Sequence, residues 1–392
     1  MDEIKNRVKE ISKEAIHLRR IIHANPELAL KEEKTASLVE AEMCKLGIEY
    51  KRVAGTGVVG VLRGPYPGKT IALRADMDAL NISENTNCNF KSQIPGMMHA
   101  CGHDVHTAVL LGVANVLSKF RENLHGNVKF LFQPAEENGP TGGAPLMIRD
   151  RALLDPEPDM VLGLHVHPDF TTGEIGVREG VMTSNSDRIF IKVTGKHCHG
   201  STPHEGVDAL VTACHIVTAI QTIISRNMDP RLIGALTLGT IQGGKRYDTV
   251  ADEVVIEGTC RTFNEESREL VPKRIKEIAT DISKAFGAHC EVNYLLGYPS
   301  VINAKEGVDL IVRAGKESIG KDNVVIADYP VMFAEDFSYY LENKPGAFFM
   351  LGVTDPGKQK ISLHNPEFLP PEKCLPVGIE VLSKAALIYL GE

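Results

Sequence analysis

Nine residues hold a concentration of metal-ligand chemistry: Met98-His99-Ala100-Cys101-Gly102-His103-Asp104-Val105-His106. Three histidines, a cysteine and an aspartate fall in that span, and all are side-chain types that bind transition metals. An apolar run from Thr107 to Leu117 follows and reads as a helix. A Cys-x-His pair at the mouth of a helix can put a thiolate and an imidazole on one ion. Taken alone, the stretch fits a buried cysteine beside capping polar residues equally well, because free cysteine is commonly buried.

Other clusters weigh against that reading. Glu136-Glu137 follows the apolar run Phe130-Leu131-Phe132. Successive side chains of a strand point to opposite sides, so one carboxylate can bind metal while its neighbour faces water as a general base. A divalent ion can lower the pKa of its water to about 7. His165-Val166-His167 ends another apolar run, and Pro168 is expected to stop that strand, which favours His165 as the ligand. Nine of the fourteen histidines lie between positions 99 and 204, too many for nine unrelated structural roles. A later loop, Gly195 to Val207, holds His197, Cys198, His199 and His204. It suits either another metal site or a histidine offered to a substrate oxyanion.

The elements that must position these groups follow from periodicity. Residues 3 to 24 form an amphipathic helix stopped by Pro26, and a second helix spans about 31 to 46. Strands are expected at 57–62, 69–74, 127–132 and 159–165. Three of these strands end in ligand-type residues: Asp76/Asp78, Glu136/Glu137 and His165/His167. Open α/β sheets present functional groups at such strand ends. Alternating strands and helices predict an α/β fold with its sheet covered on both faces. From about 185 to 296 the order becomes β-α-β-β-α-β, the ferredoxin-like unit. The expected organisation is therefore a domain at 185–296 inserted into a larger one formed by 1–184 and 297–392.

Composition narrows the classes. The 392 residues exceed one ordinary core, and 43% hydrophobic with 24% charged residues is usual for a globular chain. A net charge of −8 without a basic block argues against nucleic-acid binding. The eight cysteines are dispersed and no signal-peptide pattern opens the chain, so a cytoplasmic location is expected. No apolar run of membrane-spanning length is expected.

The chain resembles the M20 metallopeptidase/amidohydrolase family, in its aminoacylase and hippurate-hydrolase branch. The matching segments include Arg20 to Leu28, Arg74-Ala75-Asp76-Met77-Asp78-Ala79-Leu80, Met98 to Asp104, Phe132 to Glu137, Gly163 to Val166, His199 to Asp208, Gly258 to Phe263, Glu335-Asp336-Phe337 and Leu363-His364. The resemblance implies a zinc-exopeptidase-like catalytic domain, a central mixed sheet between helices, with an inserted α+β lid and dimerisation domain. It implies two divalent metal ions per subunit, zinc or manganese, held by Cys101, His103, Glu137, His165 and His364. Glu136 is implied as general base, with Asp78 and Asp104 orienting ligands. It also implies a homodimer through the inserted domain. There His199 would reach the substrate carbonyl oxygen and Arg261 would lie on the substrate-binding side. The family commonly has an asparagine for the substrate carboxylate where this chain has Asp248. A carboxylate facing a carboxylate needs an intervening cation; Lys245, Arg246 or Arg261 could supply one, or the substrate could carry it.

The expected activity is hydrolysis of an N-acyl amino acid to a carboxylic acid and a free amino acid. A dipeptidase with the same machinery is the alternative. A cysteine hydrolase using Cys101, and a non-catalytic metal-binding protein, are the rivals outside this class. The expected partners are the small-molecule substrate and a second copy of the chain, with neither nucleic acid nor membrane.

Overall fold

The computed structural model describes residues 2–391. Its contacts divide it into two compact units. The first runs up to Met182, resumes over Val301–Pro330 and continues from Asp336; the second comprises Thr183–Ser300 and Val331–Glu335.

In the first unit, helix α1 (Asp2–Ala24) buries Ile4, Val8, Ile11, Ala15, Leu18 and Ile22, the stripe its periodicity predicts. Helix α2 (Glu33–Lys45) and strands β1 (Glu49–Val53), β2 (Gly57–Arg63) and β3 (Tyr66–Asp76) follow. Helix α3 (His103–Ser118) starts a turn earlier than its apolar run, so His103 to His106 form its first turn. Strands β4 (His125–Gln133), β5 (Met160–Thr171) and β6 (Ile175–Val177) complete this segment.

Pro168 does not end its strand, contrary to expectation: β5 continues to Thr171. A later strand pairs with it as far as His167, then shifts register before Thr354 meets Thr171. The proline, which has no N–H to donate, sits at that irregularity. Its carbonyl accepts a hydrogen bond from Thr354 Oγ1 at 2.6 Å.

The second unit contains β7 (Asp187–Thr194), β8 (Cys198–His199), α4 (Ala209–Ile220), β9 (Gly234–Gly243), β10 (Thr249–Val250), β11 (Glu253–Thr262), α5 (Glu265–Ala285) and β12 (His289–Leu296). Four of these strands form an antiparallel sheet in the order β9-β11-β7-β12. Ile189, Ile191 and Val193 from β7 share a core with Ile216, Ile220, Val271 and Ile275 from the helices. One membrane expectation needs correction. Ala209–Asn227 is, by length and composition, apolar enough to cross a membrane. Within this unit its Ala213, Ile216, Ile220 and Ile223 are core residues.

The first unit resumes with α6 (Lys305–Ile319), β13 (Val324–Ile326), β14 (Gly346–Thr354) and α7 (Cys374–Leu390). Its mixed sheet has eight strands in the order β1-β2-β4-β3-β5-β14-β6-β13. Every residue of α3 from His103 to Leu117 is buried. That suits a helix apolar on all sides, which packs against α1, α7, β3 and β5. Strands β4, β3, β5 and β14 are mutually parallel. The C-terminal ends of β3, β4 and β5 therefore open on one edge of the sheet.

Candidate metal centre

The turn after β4, the interior of β5, the start of α3 and a distant loop deliver the predicted ligands to that edge. Cys101 and His103 flank Gly102, whose φ of +85° is one that residues with side chains rarely adopt. A Cβ there would lie 2.4 Å from Val166 Cγ2, so glycine is required for both its backbone angle and its contact with β5. His165 comes from within β5, and Glu136 and Glu137 from the turn after β4. His364 arrives on a distant loop in a left-handed conformation, φ +61°, with its N–H donated to the Ala100 carbonyl at 2.9 Å. Such a backbone costs on the order of 1–3 kcal/mol and persists only where its surroundings fix it.

The side chains meet. Cys101 Sγ lies 3.4 Å from His165 Nε2, and His364 Nε2 lies 3.2 Å from Glu137 Oε1. His103 Nε2 is 4.0 Å from Glu137 Oε1. Three overlapping groups each have their donor atoms within 4.8 Å of one another: Cys101/His103/His165, Cys101/Glu137/His364 and His103/Glu136/Glu137. Cys101, His103, Glu136 and His165 are buried, whereas His364 is exposed, which leaves an open mouth.

Buried carboxylates fix this arrangement. Asp78 accepts the Glu136 N–H through Oδ1 and the Glu137 N–H through Oδ2, and its Oδ1 also lies 3.3 Å from His103 Nδ1. Glu32 Oε1 accepts the N–H of Ala135, itself left-handed at φ +58°. Asp76 Oδ1 meets His106 Nδ1 at 2.6 Å, and His106 Nε2 accepts the Val166 N–H, so the His106 proton sits on Nδ1. Arg74 donates to Gln133, Asp76 and Asp336, joining the ends of β3 and β4. Asp104 turns elsewhere, to Arg19 and His23, and among the described residues none of its hydrogen bonds reaches a ligand side chain.

The protonation pattern reflects crowded negative charge. Burial, then the Glu137, Glu136 and Asp76 charges, push the Cys101 thiol well above its ordinary range. Burial opposes charge on His103, but Asp76 and Asp78 raise it to about 10. Burial, reinforced by His106, drives His165 well below its ordinary value. The protons thus collect on a thiol and an imidazole, the two positions where metal binding displaces protons. Among the described residues, the buried His103 Nε2 has no hydrogen-bond partner. A neutral imidazole, a thiolate and carboxylates are the donor chemistry of borderline divalent ions, so the residues fit a divalent metal site.

The second unit holds the remaining predicted residues. His199 pairs with Thr249 across β8 and β10, and the Gly200 N–H donates to the Asp248 carbonyl at 2.8 Å. His199 and Asp248 are therefore neighbours at one small two-stranded antiparallel sheet, whose strands are joined through α4 and β9. The cation beside Asp248 is Arg246, at 2.6 Å, while Lys245 pairs with Asp252. Arg261 is half-buried and donates to Thr259 Oγ1 and the Cys260 carbonyl.

Fold and centre together define a metal-binding α/β protein whose candidate ligands gather along one edge of its parallel strands. Residues 72–388 match peptidase family M20/M25/M40, and the chain belongs to that family. It is 42% identical over 307 residues to an N-acyl-L-amino acid amidohydrolase of Geobacillus stearothermophilus, covering 78% of this chain and 82% of that one. It is 38% identical over 382 residues to thermostable carboxypeptidase 1 of Saccharolobus solfataricus, covering 96% of each. Among solved structures, it superposes on the Bacillus subtilis YXEP protein, a dinuclear metal-binding peptidase of the M20 family. That match has a TM-score of 0.82 and 32% identity, over 97% of this chain and 99% of that one.

Proposed function

We propose that the protein is a metal-dependent amidohydrolase that cleaves N-acyl amino acids to a carboxylic acid and a free amino acid. The observation that carries this reading is the convergence of Cys101, His103, Glu137, His165 and His364 donors beside the Glu136 carboxylate. Two divalent ions, zinc or manganese, would be held by those five residues and would supply Lewis-acid charge and a more acidic water. Glu136 takes the proton of the attacking water and passes it to the leaving amine nitrogen. Asp78 and Glu32 keep its turn in place through the N–H groups of residues 135 to 137. His199 donates to the carbonyl oxygen as negative charge develops. The inserted unit acts as lid and dimer interface, so that each His199 serves the other subunit's site, and the dispersed cysteines support a cytoplasmic location.

Names among the relatives support the amide assignment, and the carboxypeptidase among them favours a second reading, release of an amino acid from a small peptide. A panel of N-acetyl and N-benzoyl amino acids against dipeptides separates the two. Faster turnover of dipeptides would overturn the first reading in favour of the second.

A further inference from the structure

A second constellation of ligand-type side chains lies outside the centre described above. At the end of α1, His23 Nε2 lies 3.4 Å from Glu84 Oε1, and Cys88 Sγ lies 3.8 Å from the same oxygen. All three donor atoms fall within 4.8 Å of one another. A tetrahedral ion with Zn–N, Zn–O and Zn–S bonds of about 2.0, 2.1 and 2.3 Å sets its N···O edge near about 3.4 Å and its O···S edge near about 3.6 Å. The observed N···O and O···S spacings of 3.4 and 3.8 Å lie close to those edges, and the third edge is within 4.8 Å.

The surroundings orient these groups. His23 Nδ1 is 2.8 Å from Asp104 Oδ2, which leaves Nε2 as the coordinating nitrogen. A carboxylate behind the remote ring nitrogen is the usual support of a zinc-ligating histidine. The Ser92 N–H donates to Glu84 Oε2 at 2.7 Å, which turns Oε1 towards His23 and Cys88, with the Thr86 hydroxyl also donating to Oε1. The cations nearby have other partners: Arg19 pairs with Asp104 and Arg20 with Glu372, and both stack on Phe90. His23 and the Glu84 side chain are buried, and Cys88 is half-buried, so one side remains open to an entering ion.

We propose that His23, Glu84 and Cys88 form a further divalent metal site of the zinc type, with Asp104 orienting His23. Binding releases one proton from His23 Nε2 and one from the Cys88 thiol, and forms one bond each to nitrogen, oxygen and sulfur. The ion ties the Glu84–Ser92 segment to the end of α1.

The test uses the full-length protein with zinc as the probe and does not depend on the hydrolytic reading. Zinc per subunit is counted in the wild type, Cys88→Ser and Glu84→Gln, and Cys88 alkylation is mapped by mass spectrometry with and without zinc. Cys88→Ser should bind one zinc fewer while keeping hydrolysis, and zinc should slow Cys88 alkylation in the wild type by at least about tenfold, since the thiolate is the reacting species. Glu84→Gln should lose that protection. The same zinc count in Cys88→Ser as in the wild type, together with alkylation indifferent to zinc, would overturn the proposal and leave His23 as an imidazolium between two carboxylates. Failure of the main centre would instead lower the zinc count of the wild type and Cys88→Ser equally.

Discussion

Asp78 grips Glu136 by its backbone, accepting the Glu136 N–H through Oδ1 at 3.0 Å and the next N–H, that of Glu137, through Oδ2 at 2.9 Å. One buried carboxylate therefore fixes where two adjacent acidic side chains depart from the turn that follows β4, beyond the strand that the sequence suggested for them. Glu136→Gln should retain metal and lose kcat by roughly 10²- to 10⁴-fold, the usual contribution of a general base. Glu137→Ala should lose metal as well as activity. Elemental analysis with kinetics on both variants checks this, and equal metal loss in the two would contradict the division of roles.

Glu32 makes stability depend on pH. Burial is the largest cause of its raised pKa, about 7, with the Asp78 charge adding to it and the Thr56 and Ala135 hydrogen bonds opposing it. Between its ordinary value of 4.5 and about 7, the folded protein holds a proton that the unfolded chain has lost. Stability contributed by this group is thus present at low pH and falls as pH rises through that window, by an amount on the order of 3 kcal/mol. Glu32→Gln should gain stability relative to the wild type between pH 5 and pH 8. Urea midpoints at both pH values, with metal content held fixed, check it. Parallel midpoints would show that Glu32 stays ionised.

Much of this centre was legible in the sequence because its residues arrive in short runs. The Cys-x-His pair stands at the start of α3, and the Glu pair and His165 each follow an apolar run, so hydrophobic periodicity points to them although β5 carries on beyond His165. Asp76 stands out as a strand-end carboxylate, but the part played by Arg74 does not, since its partners Gln133 and Asp336 come from 59 and 262 residues away. Glu32 left none, since a carboxylate next to a helix start reads as an ordinary cap until Ala135 is seen to donate to it. Strand β5 ran beyond Pro168 because a register shift in its partner removed the need for an N–H, a feature that local propensity does not carry. Asp248 stood out by its type, but only the fold pairs it with Arg246 rather than Lys245.

The proposed exchange of His199 between subunits can be read by complementation. His199→Ala and Glu136→Gln, each nearly inactive alone, are co-expressed. If His199 serves the other subunit, a mixed dimer contains one intact site and one lacking both residues. Random pairing then restores roughly a quarter of wild-type activity per site, by the two-fold symmetry of the dimer. No recovery, with mixed dimers demonstrated, would contradict action across the interface.

The most direct measurement is hydrolysis of an N-acetyl amino acid by the same preparation before chelation, after chelation and after return of zinc or manganese. The chelated protein should be inactive, and activity should return in proportion to ions bound at the Cys101 centre, up to two per subunit, with an ion at His23, Glu84 and Cys88 counted separately through Cys88→Ser. Cys101→Ser should fail to recover it. Because burial and three carboxylates push the Cys101 thiol upward, it is a poor nucleophile by itself. A chelated protein that still turns over substrate, and is silenced by thiol alkylation, would contradict the metal-centre account and make Cys101 the nucleophile.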